Sequence, residues 1–105
     1  MFLLATDKVE VCPLFGEDLE IICPKSDVIV TSSARYGRME KTRCLEVDEF
    51  IGCDNDVLLL LDQWCSGHNT CRKEIPNPEL RAANKVCLRY LHMYLDVEYS
   101  CVNGE

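Results

Sequence analysis

No apolar run in the 105-residue sequence approaches the length of a membrane span, which excludes a transmembrane helix read from hydropathy. The opening MFLLA is too short, and lacks the basic flank, for an intact secretory signal; the reading is a signal removed or replaced by a start methionine. Histidine is scarce at two residues, and there is no G-x-S-x-G, phosphate loop or H-E-x-x-H, so no nucleophile, base and metal set is in view and a non-catalytic protein is expected. No N-x-[ST] sequon occurs, Asn69 being followed by Thr70 and Cys71. Basic residues are outnumbered, 11 against 18 acidic, and the net charge of −7 is scattered, so nucleic acid and other polyanions would be repelled from most faces. There is no repeat, linker or low-complexity tract to suggest a second domain.

What the chain does have is cysteine. Eight stand at positions 12, 23, 44, 53, 65, 71, 87 and 101. A domain this small buries too little apolar surface to be comfortable without covalent help, and an even number of cysteines over the whole length reads as a disulfide framework formed in an oxidising, extracellular setting. The competing reading is a zinc module, but the close pairs that preorganise a tetrahedral thiolate site are missing, Cys65 and Cys71 being the tightest spacing. No metal or other cofactor is implied. The Asp54–Asn55–Asp56 string spaces its carboxylates like a calcium loop but lacks the glycine and distal glutamate, so helix capping is the better reading.

Along the chain, DLEIIC (Asp18 to Cys23) and DVIVTSS (Asp27 to Ser33) read as strands joined as a hairpin by PKSD. DNDVLLLLDQWC then reads as a short helix capped by its Asp and Asn residues and ended at Gly67, with Leu58, Leu61, Trp64 and Cys65 on the docking face. The segment Cys71 to Cys87, with Pro76 and Pro78, reads as a loop with a helical turn at Glu79 to Ala83. MYLDVEYSC alternates, Leu95, Val97, Tyr99 and Cys101 on one side and Tyr94, Asp96, Glu98 and Ser100 on the other, as a half-buried strand does. The expected fold is α+β: a small disulfide-rich, antiparallel, β-sandwich-like domain with one principal helix.

The strand ending in Cys23, then ARYGRMEKTRC, WCSGHNTC and the terminal YLDVEYSC, together with the order of all eight cysteines, resemble the sea-urchin-egg-lectin (SUEL) type of domain, the galactose- or rhamnose-binding lectin domain. The resemblance spans residues 12–101, leaving 1–11 as an N-terminal extension and 102–105 as a tail. It implies the pairs Cys12–Cys44, Cys23–Cys101, Cys53–Cys87 and Cys65–Cys71, a choice that spacing alone does not make. It also implies a sugar pocket in which Tyr36 presents its ring to a pyranose, Gly37 permits a tight turn and Arg38 anchors or contacts. The alternative is that Tyr36 fills the framework and Arg38 pairs with a nearby carboxylate.

The chain departs from the lectin pattern where hydroxyls would be met. The family's glutamate after the first cysteine is replaced by Pro13, or by Phe15 if Gly16 is aligned, and Glu17 or Asp18 reaches in only if the chain bends back. The aspartate two residues before the seventh cysteine is Lys85, followed by Val86. The glycine loop leading to Lys-Tyr-Leu is LRYLHMYL, with Met93 in the lysine position. Arg89 and His92 are possible replacements, or plain surface groups. A rebuilt lectin site would draw on Glu17, Tyr36, Asn84 and Lys85. The missing hydrogen-bond set favours the branch of the family found in latrophilins and axon-guidance co-receptors, where the module binds proteins. The expected function is therefore an extracellular recognition module with a degraded monosaccharide site and a cell-surface or extracellular protein partner. A genuine galactoside or rhamnoside lectin, or a secreted toxin or inhibitor, is the alternative. Tyr90, Leu91, His92 and Met93 form a candidate interface patch, unless Leu88, Leu91 and Met93 complete the core under Cys87.

Overall fold

The computed structural model describes residues 5–104. The MFLLA reading therefore falls mostly outside the described residues, as does residue 105. In chain order the elements are β1 (Asp7–Val11), a 3-10 turn (Pro13–Phe15), β2 (Leu19–Ile22), β3 (Asp27–Arg38), β4 (Cys53–Asp56), α1 (Leu58–Cys65), β5 (Thr70–Lys73), α2 (Pro78–Ala83) and β6 (Tyr94–Asn103). Four strands form one antiparallel sheet in the order β1-β6-β3-β4, and β2 pairs with β5 in a second, two-stranded sheet. The α+β class and the disulfide-rich, antiparallel architecture are as expected from the sequence. Among the described residues, no helix is long and apolar enough to cross a membrane.

All eight cysteines are paired, as Cys12–Cys44, Cys23–Cys101, Cys53–Cys87 and Cys65–Cys71. These are the pairs the SUEL resemblance implies, and four disulfides in so small a domain fit an oxidising environment. The loop-closure model attributes about 4 to 5 kcal/mol to the longest link, Cys23–Cys101, whose residues are 78 apart.

Several local expectations need correction. DLEIIC and DVIVTSS do not form a hairpin: β2 turns away to pair with β5, from Leu19 opposite Lys73 to Ile22 opposite Thr70, while β3 pairs with β6 and β4. A PKSD turn between two β-rich runs is compatible with a change of sheet, and the Asn69 amide fixes it by donating to the carbonyls of Cys23, Pro24 and Asp27. The segment after Cys71 starts in a strand rather than a loop, and the helical turn expected at Glu79 to Ala83 is present. Its first residues complete β5, and Asn77, whose Oδ1 accepts from the Leu80 N–H at 2.9 Å, caps a six-residue helix with Pro78 in its first turn.

Residues 54–56 form strand β4 rather than a capping run; only Asp56 reaches the helix, accepting from the Leu58 N–H at 2.9 Å. Residues 7–11 are not an extension, because β1 is an edge strand of the main sheet, with Val9 opposite Val97. Nor does the fold end at Cys101, since β6 continues to Asn103 and the Gly104 N–H donates to the Ser26 carbonyl.

One irregularity positions the site. Between Thr31 and Ser33 the register of β3 slips against β6, two β3 residues facing one. Strand side chains alternate, so the extra residue reverses the inward phase. Ile29 and Thr31 point inward before the bulge; Ala34, Tyr36 and Arg38 do so after it, and Arg35 is exposed. Without the bulge, Tyr36 would face solvent. The core between the sheets and helices gathers Leu19, Ile21, Ile29, Leu61, Leu80, Leu95 and Val97, all essentially inaccessible. Leu61 and Cys65 are the buried face of α1, and Leu59 is its exposed side. The helix is also tied to β3 by the Thr31 hydroxyl, which donates to Asp62, and by Ser66, whose Oγ accepts from the Thr31 N–H.

Candidate functional site

A cavity of about 200 Å³ opens beside the end of β3. Pro13 from the 3-10 turn, Tyr36 from β3, Pro76, Arg81 and Asn84 from the α2 region, and Arg89, Leu91, His92 and Met93 from the segment before β6 line it. It is smaller than the few hundred Å³ of a drug-sized pocket.

Of the lining residues, Asn84 is fixed by a hydrogen-bonded partner outside the lining, Asn55. Asn55 on β4 donates to the Tyr36 carbonyl at 2.9 Å and to Asn84 Oδ1 at 3.0 Å, and its own oxygen accepts from the Lys85 N–H at 2.8 Å. Asn84 Oδ1 also accepts from the Cys87 N–H, and its amide donates to the Cys87 carbonyl. An amide oxygen has two lone pairs, so Asn84 Oδ1 is already saturated. The Cys53–Cys87 disulfide closes the same corner covalently.

Tyr36 is only 4% exposed and belongs to the main core cluster. It forms the pocket's inner wall rather than an open platform for a sugar ring, so the framework reading holds for most of the side chain. Its hydroxyl makes no hydrogen bond among the described residues. Burial pushes the phenol up, and the nearby Arg81 charge works in the opposite direction.

Gly37 does not make a turn. It lies within β3, and a Cβ there would meet the Cys53 carbonyl oxygen at 2.5 Å, Asp54 Cα at 2.9 Å and Cys87 Sγ at 3.1 Å. Glycine is needed for close approach of β4 and the disulfide. Arg38 is corrected as well: at 1% exposure it cannot face a ligand, and its partners are carbonyls, not a carboxylate. Its guanidinium donates to His92 O at 2.6 Å, Val47 O at 3.0 Å and Glu49 O at 2.7 Å, leaving Nε as a buried donor with no partner. Of anchoring and contacting, Arg38 anchors: it holds the backbone of the pocket wall from behind.

The structure brings Tyr36, Asn84, Arg89 and His92 together and leaves the other expected residues out. Glu17 faces the Cys12–Cys44 link, where it accepts from the Cys12 N–H at 3.0 Å and from both Arg43 terminal nitrogens, at 2.7 and 3.0 Å. Arg43 first, and then the Cys12 N–H, hold its carboxyl below the usual carboxylate range. The short turn after Cys12 directs Glu17 toward Arg43, so Pro13, not an acid, reaches the pocket. Lys85 is exposed and outside the lining, only its backbone being bonded to Asn55; Tyr90, 82% exposed, lies outside the lining too. Met93 is buried and lines the cavity, Leu91 is half-buried beside it, and Leu88 is exposed, so the apolar patch divides between core and surface.

Arg81 is the residue that sequence reading missed. Its signal lay in the Asn77–Pro78–Glu79 helix start, which once recognised places positions 81 and 84 on one face. A separate trio of Glu10, Cys12 and Cys44 has metal-like proximity, but the two sulfurs are bonded to each other and supply no thiolate. No family model matches the chain, and no curated protein matches it.

Proposed function

We propose that this chain is a non-catalytic extracellular recognition module of SUEL-lectin type that has lost its monosaccharide site and binds a protein partner through the face around the cavity. The observation that carries this reading is the set of polar groups in the lining. No Asp or Glu is among them, and Asn84 Oδ1 is already used twice. A sugar's hydroxyls need several fixed acceptors to repay their desolvation, and this lining holds no carboxylate, its side-chain acceptors being those of Tyr36 and His92 beside the spent Asn84. The residues that alternate in sequence with the lining favour a protein: Val86, Leu88 and Tyr90 are 60%, 39% and 82% exposed. Exposed aromatic and aliphatic side chains beside a concave site are the composition of a protein interface.

An array of neutral glycans and an array of extracellular protein domains, probed with the folded domain, test the reading. The expected result is no saturable glycan signal and a protein signal reduced about tenfold or more by Tyr90→Ser with Val86→Ser. Saturable binding competed by galactose or rhamnose and lost in Tyr36→Ala would restore the lectin alternative.

A further inference from the structure

The arginines of this chain divide sharply. Arg35 pairs with Asp54 at 2.8 Å, Arg43 with Glu10 and Glu17 at 3.2 and 2.7 Å, and Arg72 with Asp18 and Glu20 at 3.9 and 3.8 Å. Arg38 is taken up by carbonyls. Arg81 and Arg89 alone have neither a hydrogen-bonding nor an ion-pairing side-chain partner among the described residues, and both line the cavity. Among the described residues, a chain with 18 acidic residues has thus placed no carboxylate in this one pocket and left two guanidinium groups there unneutralised. Tyr36, whose hydroxyl is likewise without a partner, and His92 line the same cavity.

We propose that this cavity is a carboxylate-binding site that receives an acidic side chain, Asp or Glu, of the partner protein. The inference rests on the protein-recognition reading above and names what that partner presents. Two planar forks and a phenol are suited to the two oxygens of a carboxylate, which accept and never donate. Pro13, Pro76, Leu91 and Met93 supply apolar walls for the stem that carries it. The net charge of −7 sets the number of charges: a polyanion is repelled by the rest of the surface, whereas one carboxylate in an apolar segment meets the cationic lining locally. The small volume also suits a single side-chain tip rather than a ring with several polar substituents.

The test is NMR titration of the folded domain with Ac-Leu-Glu-Leu-NH2 and its neutral match Ac-Leu-Gln-Leu-NH2, at millimolar concentrations. The glutamate peptide is expected to give saturable shifts at Tyr36, His92 and the Arg81 and Arg89 side chains. The glutamine peptide should bind about tenfold more weakly or not at all, and Arg81→Gln and Arg89→Gln should each remove a similar factor. Equal binding of the two peptides, no saturable shift with either, or unchanged binding in both arginine variants overturns the proposal. Tighter binding of Ac-Leu-Leu with a free C-terminus, or of N-acetylneuraminate, overturns the side-chain source in favour of a chain terminus or an acidic glycan. Galactose or rhamnose shifting the same residues is a separate result, and it overturns the protein-recognition reading instead.

Discussion

The segment from Leu88 to Met93 has two sides, and arginine is used differently on each. Behind it, Arg38 is sealed from water and spends its donors on the carbonyls of Val47, Glu49 and His92. In front of it, Arg81 and Arg89 are exposed and have no side-chain partner among the described residues. A buried guanidinium is tolerable when most of its donors are met, here all but Nε, and one so placed fixes whatever backbone it touches. An exposed guanidinium on a pocket wall does nothing for the fold and remains available to a ligand. On the proposed recognition reading, stability and ligand binding fall to separate side chains on opposite faces of one short segment.

The largest expected effect comes from opening the corner that both sides share. Replacing Cys53 and Cys87 together by serine removes a link between residues 34 apart, which the loop-closure model values at roughly 4 kcal/mol. A urea denaturation midpoint lowered accordingly, with loss of the cavity's NMR contacts, is the expected result; a variant as stable as the parent would mean the Asn55–Asn84 hydrogen bonds hold the corner alone. Next is Arg38→Met, which keeps the stem and strands three acceptors, at a cost of about 3 kcal/mol. Arg38→Lys should recover less than half, because one ammonium has no planar fork to divide between two loops. Hydrogen exchange should accelerate around His92 in both variants, and protection left unchanged there would separate Arg38 from the pocket wall. Gly37→Ala comes third, at about 2 kcal/mol, since the new Cβ meets backbone that must move.

How far the sequence exposed this division varies by element. The class of fold, the main helix and the last strand follow from composition and apolar spacing, because burial imposes a period that side chains must obey. The disulfide pairs followed from resemblance, which carries an order of cysteines that spacing does not resolve. The change of sheet after β2 was hidden, since PKSD makes the same turn whether the strands on either side pair or part. The bulge at Thr31 to Ser33 was also hidden: nothing in VTSSARYGR marks an inserted residue, yet it decides that Tyr36 and Arg38 face inward. For the site, Tyr36, Asn84, Arg89 and His92 do line one cavity, whereas Glu17 and Lys85, close to it in chain position, do not. What removed them is geometric: a short turn sends Glu17 to Arg43, and Lys85 is held by its backbone to Asn55 with its side chain exposed.

The smallest expected effect is on the exposed side, and it is the one that ties Arg81 to Tyr36. Arg81→Gln should leave stability at neutral pH within about 0.5 kcal/mol of the parent, as for an exposed group without partners. Its signature is in alkali. Burial raises the Tyr36 phenol above its ordinary value of 10.0, so in the window above that value the native state keeps a proton that the unfolded chain releases. Stability is therefore full below the window and falls as the pH rises through it. The Arg81 charge favours the phenolate and restrains the shift; without it the folded value rises further and the loss in alkali deepens. Because burial raises the Tyr94 and Tyr99 phenols too, a parallel Tyr36→Phe variant is needed to isolate the term. The expected result is a Tyr36 ring signal that titrates at higher pH in Arg81→Gln than in the parent, with a steeper fall in urea midpoint above pH of about 10 that vanishes in the Tyr36→Phe background. Identical titrations would place the guanidinium too far from the hydroxyl for both to meet one carboxylate, and would leave Arg89 to act alone on the open side of the segment.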